Sequence, residues 1–371
     1  MSAWRINPWI ADLPAYEPGR PMADLARELG LDGPEDIIKL ASNENALGPS
    51  PRAVEALCAA AGQVHHYPDG GACLLRDALA RHLNTSSDQI LFGNGSNELI
   101  ELLGHTFLAA GTHTVVSQYG FALYRLVSLL FQAEVTAAPM QGFEHDLDAM
   151  REAIRPETRL VFIANPNNPT GTGVSADALD RFVASMPEQV VTVIDEAYVE
   201  LLPPEEQPDS LRYVREGRRV CLLRTFSKGY GLAGLRIGYL VAPADLVALI
   251  NRTRQPFNVN QLAQVAARAA LEDQAHLEKT RRMVRAGLDQ ITGLLEKAGV
   301  EYVPSCANFL LVRVGDGRAI FQALQQAHVI VRPMDGYGLP EYVRITVGTE
   351  AENAKCLTAL LAELARRKGT P

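Results

Sequence analysis

At 371 residues and 40.4 kDa the chain can bury a large core, enough for one large domain and a smaller one. An apolar share of 47% with 21% charged residues is ordinary for a soluble enzyme. The net charge of -8 gives no basic footprint for nucleic acid, and no apolar run approaches the ~20 residues of a membrane span.

The five cysteines (Cys58, Cys73, Cys221, Cys306, Cys356) are scattered, odd in number and without a CxxC. They read as reduced thiols of a cytoplasmic protein, with neither a disulfide framework nor a metal site. No apolar stretch of signal-peptide type follows Met1-Ser2-Ala3-Trp4-Arg5, so no such leader is expected.

The first forty residues, with Pro8, Pro14, Pro18 and Pro21, are predicted to form an irregular arm. From Leu91 onward short apolar runs alternate with helical patterns. Gly93-Asn94-Gly95-Ser96-Asn97-Glu98 follows Ile90-Leu91-Phe92 and opens a helical stretch from Leu99 to Leu108. A glycine-rich turn at a helix start offers N–H groups and a positive dipole end to an anion; the same turn also serves as a plain cap. Tyr119, Phe121 and Tyr124 include a candidate for stacking on a flat ring, or belong to the core. Leu160 to Ala164 reads as a strand, Asn165 to Thr172 as a loop, and Ser175 as the cap of a helix through Met186. The loop Asn165-Pro166-Asn167-Asn168-Pro169-Thr170-Gly171 has turn composition but unusual amide capacity. Asn168 suits a phenolic oxygen and a substrate carboxylate.

Val190 to Ile194 is the next strand and ends at Asp195-Glu196-Ala197-Tyr198. An acid at a buried strand end is costly unless paired. Asp195 either caps the following segment or pairs with a pyridinium nitrogen, with Tyr198 near the ring's phenolate oxygen. The strand Val220 to Leu223 leads into Arg224-Thr225-Phe226-Ser227-Lys228-Gly229-Tyr230-Gly231, and Arg236 lies eight residues beyond Lys228. A lysine with apolar surroundings and a neighbouring cation has a lowered pKa and becomes a nucleophile. Hydroxyls, glycine N–H groups and an arginine suit a phosphate monoester. An amine beside a phosphate cradle points to pyridoxal 5'-phosphate (PLP), held as a Schiff base.

A helical stretch is predicted from Gln261 to Ala298, then strands near Phe309 to Val312 and Val343 to Val347. Arg344, inside an apolar strand, needs a partner: a structural acid or a substrate carboxylate. β-Branched runs separated by helices imply an α/β fold with a parallel sheet covered on both faces and the ligand beyond the carboxyl ends of its strands. The end of the chain reads as a smaller α+β domain.

The ordered set Gly95-Ser96-Asn97, Asn168-Pro169-Thr170-Gly171, Asp195-Glu196-Ala197-Tyr198, Ser227-Lys228, Arg236 and Arg344 resembles the fold-type I PLP aminotransferases of class II. Further segments, such as Leu40-Ala41-Ser42-Asn43-Glu44-Asn45, Tyr67-Pro68-Asp69 and Val329-Ile330-Val331-Arg332, resemble the histidinol-phosphate aminotransferase family. Two departures are Ala46, where proline is usual, and Ser117-Gln118-Tyr119, where Pro-Thr-Tyr is common. The resemblance implies a mostly parallel seven-stranded sheet in a PLP-binding domain over 46–265. An arm over 1–45 would contribute to the smaller domain, and 266–371 would form the rest of it. Lys228 would carry the cofactor and move the proton between Cα and C4'. Asp195 would bind the pyridine nitrogen, Asn168 and Tyr198 the ring oxygen, and Phe121 would stack. Gly95, Ser96, Asn97, Thr225, Ser227 and Arg236 would hold the phosphate, joined by Tyr67 from the other subunit of a homodimer. Tyr16, Asn45, Arg332 and Arg344 would bind substrate.

The implied reaction is transamination of histidinol phosphate with 2-oxoglutarate, giving imidazole acetol phosphate and glutamate in histidine biosynthesis. The same fold also serves aromatic amino-acid aminotransferases and threonine-phosphate decarboxylases.

Overall fold

The apolar runs build a seven-stranded sheet in the computed structural model, which describes residues 4–13, 15 and 19–368. Across the sheet the strands run Ile90–Gly93, Gly238–Val241, Val220–Thr225, Val191–Asp195, Thr158–Ala164, His113–Ser117 and Glu134–Ala138. Gly238–Val241 is antiparallel to both neighbours, and the other pairings are parallel. Alternate residues serve opposite faces: Val161, Ile163, Ile194 and Leu222 enter one core, and Leu160, Phe162, Val193 and Leu223 the other.

Register explains why distant loops meet. Gly238 pairs with both Gly93 and Thr225, so the turn before Ser96, the end of the lysine strand and the approach from Arg236 lie side by side. Ala164 pairs with Asp195, and Asp195 with Leu223, which brings in the asparagine loop and the carboxylate.

A second, antiparallel sheet orders Tyr302–Val303, Phe309–Arg313, Tyr342–Thr346 and Arg332–Pro333. Helices Gln274–Lys297, Gly317–Gln326 and Glu350–Lys368 enclose its core of Leu310, Val312, Val343, Ile345 and Leu357. Ile38–Lys39 pairs in parallel with Val329–Ile330 in a separate two-stranded sheet, tying the beginning of the chain to the segment just before Arg332–Pro333.

Several boundaries differ from the sequence reading. The first forty residues are not all irregular: Met22–Leu29 is a helix whose Leu25 and Ala26 pack on Ile37, Ala41 and Ile330. Pro21 stands at its N-cap, where proline bounds a helix instead of breaking it. The single stretch expected over 261–298 is two helices, Gln261–Glu272 and Gln274–Lys297. Asp273 divides them, accepting from the His276 N–H at 3.2 Å and the Ser50 hydroxyl at 2.5 Å. The helix capped by Ser175 ends at Ala184, because Ser185 turns its hydroxyl onto Phe182 O (2.8 Å) and Pro187 follows. The lysine strand runs on to Thr225 because Gly238 supplies it with a partner.

Candidate active site

A cavity of about 200 Å³ opens at the carboxyl ends of the parallel strands, where Lys228 is half-buried. Its Nζ donates to the backbone oxygen of Ser42 at 3.0 Å and lies 5.9 Å from the Tyr198 ring centre. Burial, and after it the charge of Arg344, bring the amine down to about 8; Arg236 acts the same way and Glu44 opposes it.

Asp195 ends its strand almost fully buried and faces the same cavity. Oδ1 accepts from the Ala197 N–H at 3.1 Å, and Oδ2 from the Tyr124 hydroxyl at 2.7 Å. Burial pushes the carboxyl up to about 6, and the Tyr124 and Ala197 bonds oppose that rise. The next residue, Glu196, is paired with Arg224 at 2.8 Å, both buried. This pair joins the Asp195 strand to the lysine strand from behind. Removing one partner would strand a buried charge.

Tyr198 holds the next side of the cavity, and its hydroxyl accepts from Asn43 Nδ2 at 2.9 Å. Burial pushes its phenol up to about 12, while Arg344 and Asn43 work the other way. Asn43 sits in the left-handed region at φ 55, which asparagine tolerates better than most residues. Its N–H donates to Thr346 Oγ1 at 3.0 Å, and Thr346 returns a bond to its Oδ1 at 3.2 Å. Arg344, two residues before Thr346, donates to Asn168 Oδ1 at 2.5 Å and to Ala41 O at 2.7 Å. The buried arginine and Asn168 thus face the cavity together.

At the other end lie Ser96, Asn97, Thr225, Ser227 and Arg236. The 12-residue helix Ser96–Phe107 starts here, and its first N–H groups have no intrahelical partners. A Cβ on Gly95, whose φ is 78, would lie 2.5 Å from an Arg236 Nη. A Cβ on Gly238 would lie 2.6 Å from Ser96 N. The two glycines therefore let the guanidinium and the helix end close around one space. Ser227 N–H and Thr225 Oγ1 are 3.1 Å apart, and the two hydroxyls 3.0 Å, fixing the turn before Lys228. A helix end, hydroxyls and a guanidinium suit a phosphate monoester, and a buried acid with a lowered amine suits a pyridine aldehyde. The residues therefore fit PLP.

Phe121 and Arg332 also line the cavity, with Tyr337 and Gly19, which the sequence had not marked. Asn45 does not line it: its Nδ2 donates to Gly229 O at 3.0 Å and to Thr280 Oγ1 at 3.1 Å, tying the early chain to the lysine loop. Tyr67 is 84% exposed, stacks on Phe257 at 4.8 Å, and is not part of the cavity of its own chain. Tyr16 lies outside the described residues.

The family model for aminotransferase class I and II matches residues 35–360. A histidinol-phosphate aminotransferase from Akkermansia muciniphila is 48% identical over 355 residues, covering 95% of this chain and 97% of that protein. The chain belongs to the histidinol-phosphate aminotransferase family, within the class I and II aminotransferases. A crystal structure of a histidinol-phosphate aminotransferase from Sinorhizobium meliloti in complex with pyridoxal-5'-phosphate superposes with a TM-score of 0.88 at 29% identity, covering 99% of each chain. The L-threonine-O-3-phosphate decarboxylase of Porphyromonas gingivalis has a TM-score of 0.79 at 27% identity, over 89% of this chain and 100% of that one. The mostly parallel seven-stranded sheet is thus the fold of this family.

Two contacts at the cavity are not legible in the sequence. Tyr124 reads only as a ring-stacking or core aromatic, yet it bonds Asp195. Asn43 stands in a family-like segment without a role, yet it bonds Tyr198. Spacing could suggest neither, since the partners are 71 and 155 residues apart.

Proposed function

We propose that the chain is a PLP-dependent transaminase that exchanges the amino group between histidinol phosphate and 2-oxoglutarate, in histidine biosynthesis. The observation that carries this reading is one cavity in which Lys228 and Asp195 share space with Ser96, Ser227 and Arg236. When bound, PLP withdraws electrons from the substrate Cα through its ring. The residues of this chain supply the rest. Lys228 Nζ would hold the cofactor until the substrate amine displaces it, and the freed amine would then carry the proton from Cα to C4'. Asp195 holds the ring nitrogen in its protonated form. Asn168 and Tyr198 would hold the ring oxygen, and Phe121 would lie against the ring face. Gly95, Ser96, Asn97, Thr225, Ser227 and Arg236 bind the cofactor phosphate. Arg344 takes the glutamate α-carboxylate in one half-reaction and joins Arg332 and Tyr16 on the histidinol phosphate group in the other. The same reading divides the chain into an arm over 1–45, a cofactor-holding domain over 46–265 and a smaller one over 266–371.

Single-turnover absorption spectra of each half-reaction test this reading. Charge-assisted contacts contribute roughly 1.5–3 kcal/mol, or about tenfold or more in affinity. Arg332→Ala is expected to weaken histidinol phosphate by that amount and glutamate little; Arg344→Ala is expected to weaken both. Equal losses in Arg332→Ala would make Arg332 structural. Histidinol phosphate left inert beside rapid phenylalanine turnover, or carbon dioxide released from threonine phosphate, would overturn the substrate assignment.

We further propose a cytoplasmic homodimer with shared sites. Among the described residues no helix is long and apolar enough to cross a membrane. Tyr67 and Phe257 present stacked rings to solvent, with Val64 and Leu74 also exposed. A partner subunit would cover such a patch. Tyr67→Ala and Lys228→Ala, each inactive alone, are expected to regain part of the activity when their subunits are mixed and exchanged. Heterodimers verified by mass but still inactive would exclude sharing through Tyr67.

A further inference from the structure

Tyr124 is 2% exposed, and its ring is fixed on two sides. It stacks on Phe162 with centroids 4.6 Å apart and planes 7° from parallel, and meets the edge of Phe121 at 5.6 Å and 85°. Its backbone oxygen accepts the Ser128 hydroxyl at 2.8 Å, one helical turn on. The hydroxyl therefore has little freedom, and it donates to Asp195 Oδ2 at 2.7 Å. The Ala197 N–H fixes the other carboxylate oxygen. An ionised carboxylate accepts about four hydrogen bonds, so two donors orient it and leave acceptor capacity on its cavity side. Burial holds the Tyr124 phenol well above its ordinary value, so it remains a donor throughout the neutral range.

We propose that Tyr124 is a positioning residue: its hydroxyl fixes the Asp195 carboxylate and supports its charged form for the cofactor's ring nitrogen. This rests on the reading of Asp195 given above. A buried carboxylate without that donor is expected to protonate at higher pH, and a neutral acid holds a pyridinium less well. The charged groups acting on Asp195 are Glu196, which favours its protonation, and Lys228, which opposes it; Tyr124→Phe alters neither.

The test is PLP affinity as a function of pH, read by equilibrium dialysis, for the parent, Tyr124→Phe, Asp195→Ala and the double variant. Tyr124→Phe removes one oxygen and keeps the stack on Phe162; its thermal midpoint checks the fold. The expected result is roughly tenfold weaker binding on the acid side, below the Asp195 pKa of about 6, shrinking to about twofold at pH 7. The acid limb of the profile should also move up by about one pH unit. The titration of free PLP is common to all four proteins and cancels in the comparison. In the Asp195→Ala background the Tyr124→Phe loss should vanish. An unmoved acid limb, or the same loss in both backgrounds, overturns the proposal. Unchanged affinity in Asp195→Ala would instead sink the reading of Asp195 itself.

Discussion

Lys228→Ala is expected to lose turnover by roughly 10⁴-fold or more, because covalent attachment and proton transfer disappear together. The fold should survive, since the side chain is half-buried and, among the described residues, its one hydrogen bond goes to Ser42 O. The amine is suited to attack by its surroundings. At a pKa of about 8, roughly a quarter of the Lys228 amine is neutral at pH 7.5. An ordinary lysine near 10.5 would be neutral only about one part in a thousand. PLP should still enter Lys228→Ala, because the phosphate cradle and Asp195 are untouched. Borohydride reduction of the parent should fix the cofactor to the peptide that carries Lys228, and of the variant to none. Label on another lysine of the parent, or turnover within tenfold of the parent in the variant, would remove Lys228 from the chemistry.

The parts of the site that were legible in the sequence are those whose chemistry is unusual for their place. Lys228 and Asp195 stand where apolar strands end, and the cost of burying a charge marks them. The turn at Gly95 and Ser96 is read from a glycine-rich helix start. Arg344 is a cation inside an apolar strand, and the structure gives it Asn168 and Ala41 O as partners. Contacts that depend on register were not legible. Gly238 must pair with both Gly93 and Thr225 before Arg236 can lie against Gly95, and no local pattern encodes that pairing. Asn45 shows the converse: its motif is plain, but its amide is spent on Gly229 and Thr280. Helix ends followed the same rule. Asp273 looks like one more polar residue in a helical run, and only its bonds to Ser50 and His276 show it to be a break.

Asp195 sets the second large expectation, in which stability and function part company. Its folded-state pKa of about 6 lies above the ordinary 3.8. The folded cofactor-free protein therefore holds that proton more tightly than the unfolded chain does. The resulting stabilisation is complete below about pH 4 and is lost as pH rises through 6. At pH 7.5 the ionised carboxylate costs the cofactor-free fold up to roughly 3 kcal/mol. Asp195→Asn removes the charge and keeps an oxygen for the Ala197 N–H, so its cofactor-free thermal midpoint should rise. With PLP the order should reverse, because a neutral amide cannot stabilise the protonated ring nitrogen, and the parent gains more from binding. Turnover of Asp195→Asn, and of Asp195→Ala, should fall by roughly 10²–10³-fold or more, the scale on which a preorganised electrostatic partner acts. Thermal scans with and without PLP, beside single-turnover rates, read all of these effects. A lower cofactor-free midpoint with near-normal rates would show Asp195 to be a structural acid. A higher midpoint with collapsed rates would show that the fold tolerates this carboxylate for the sake of the cofactor it faces.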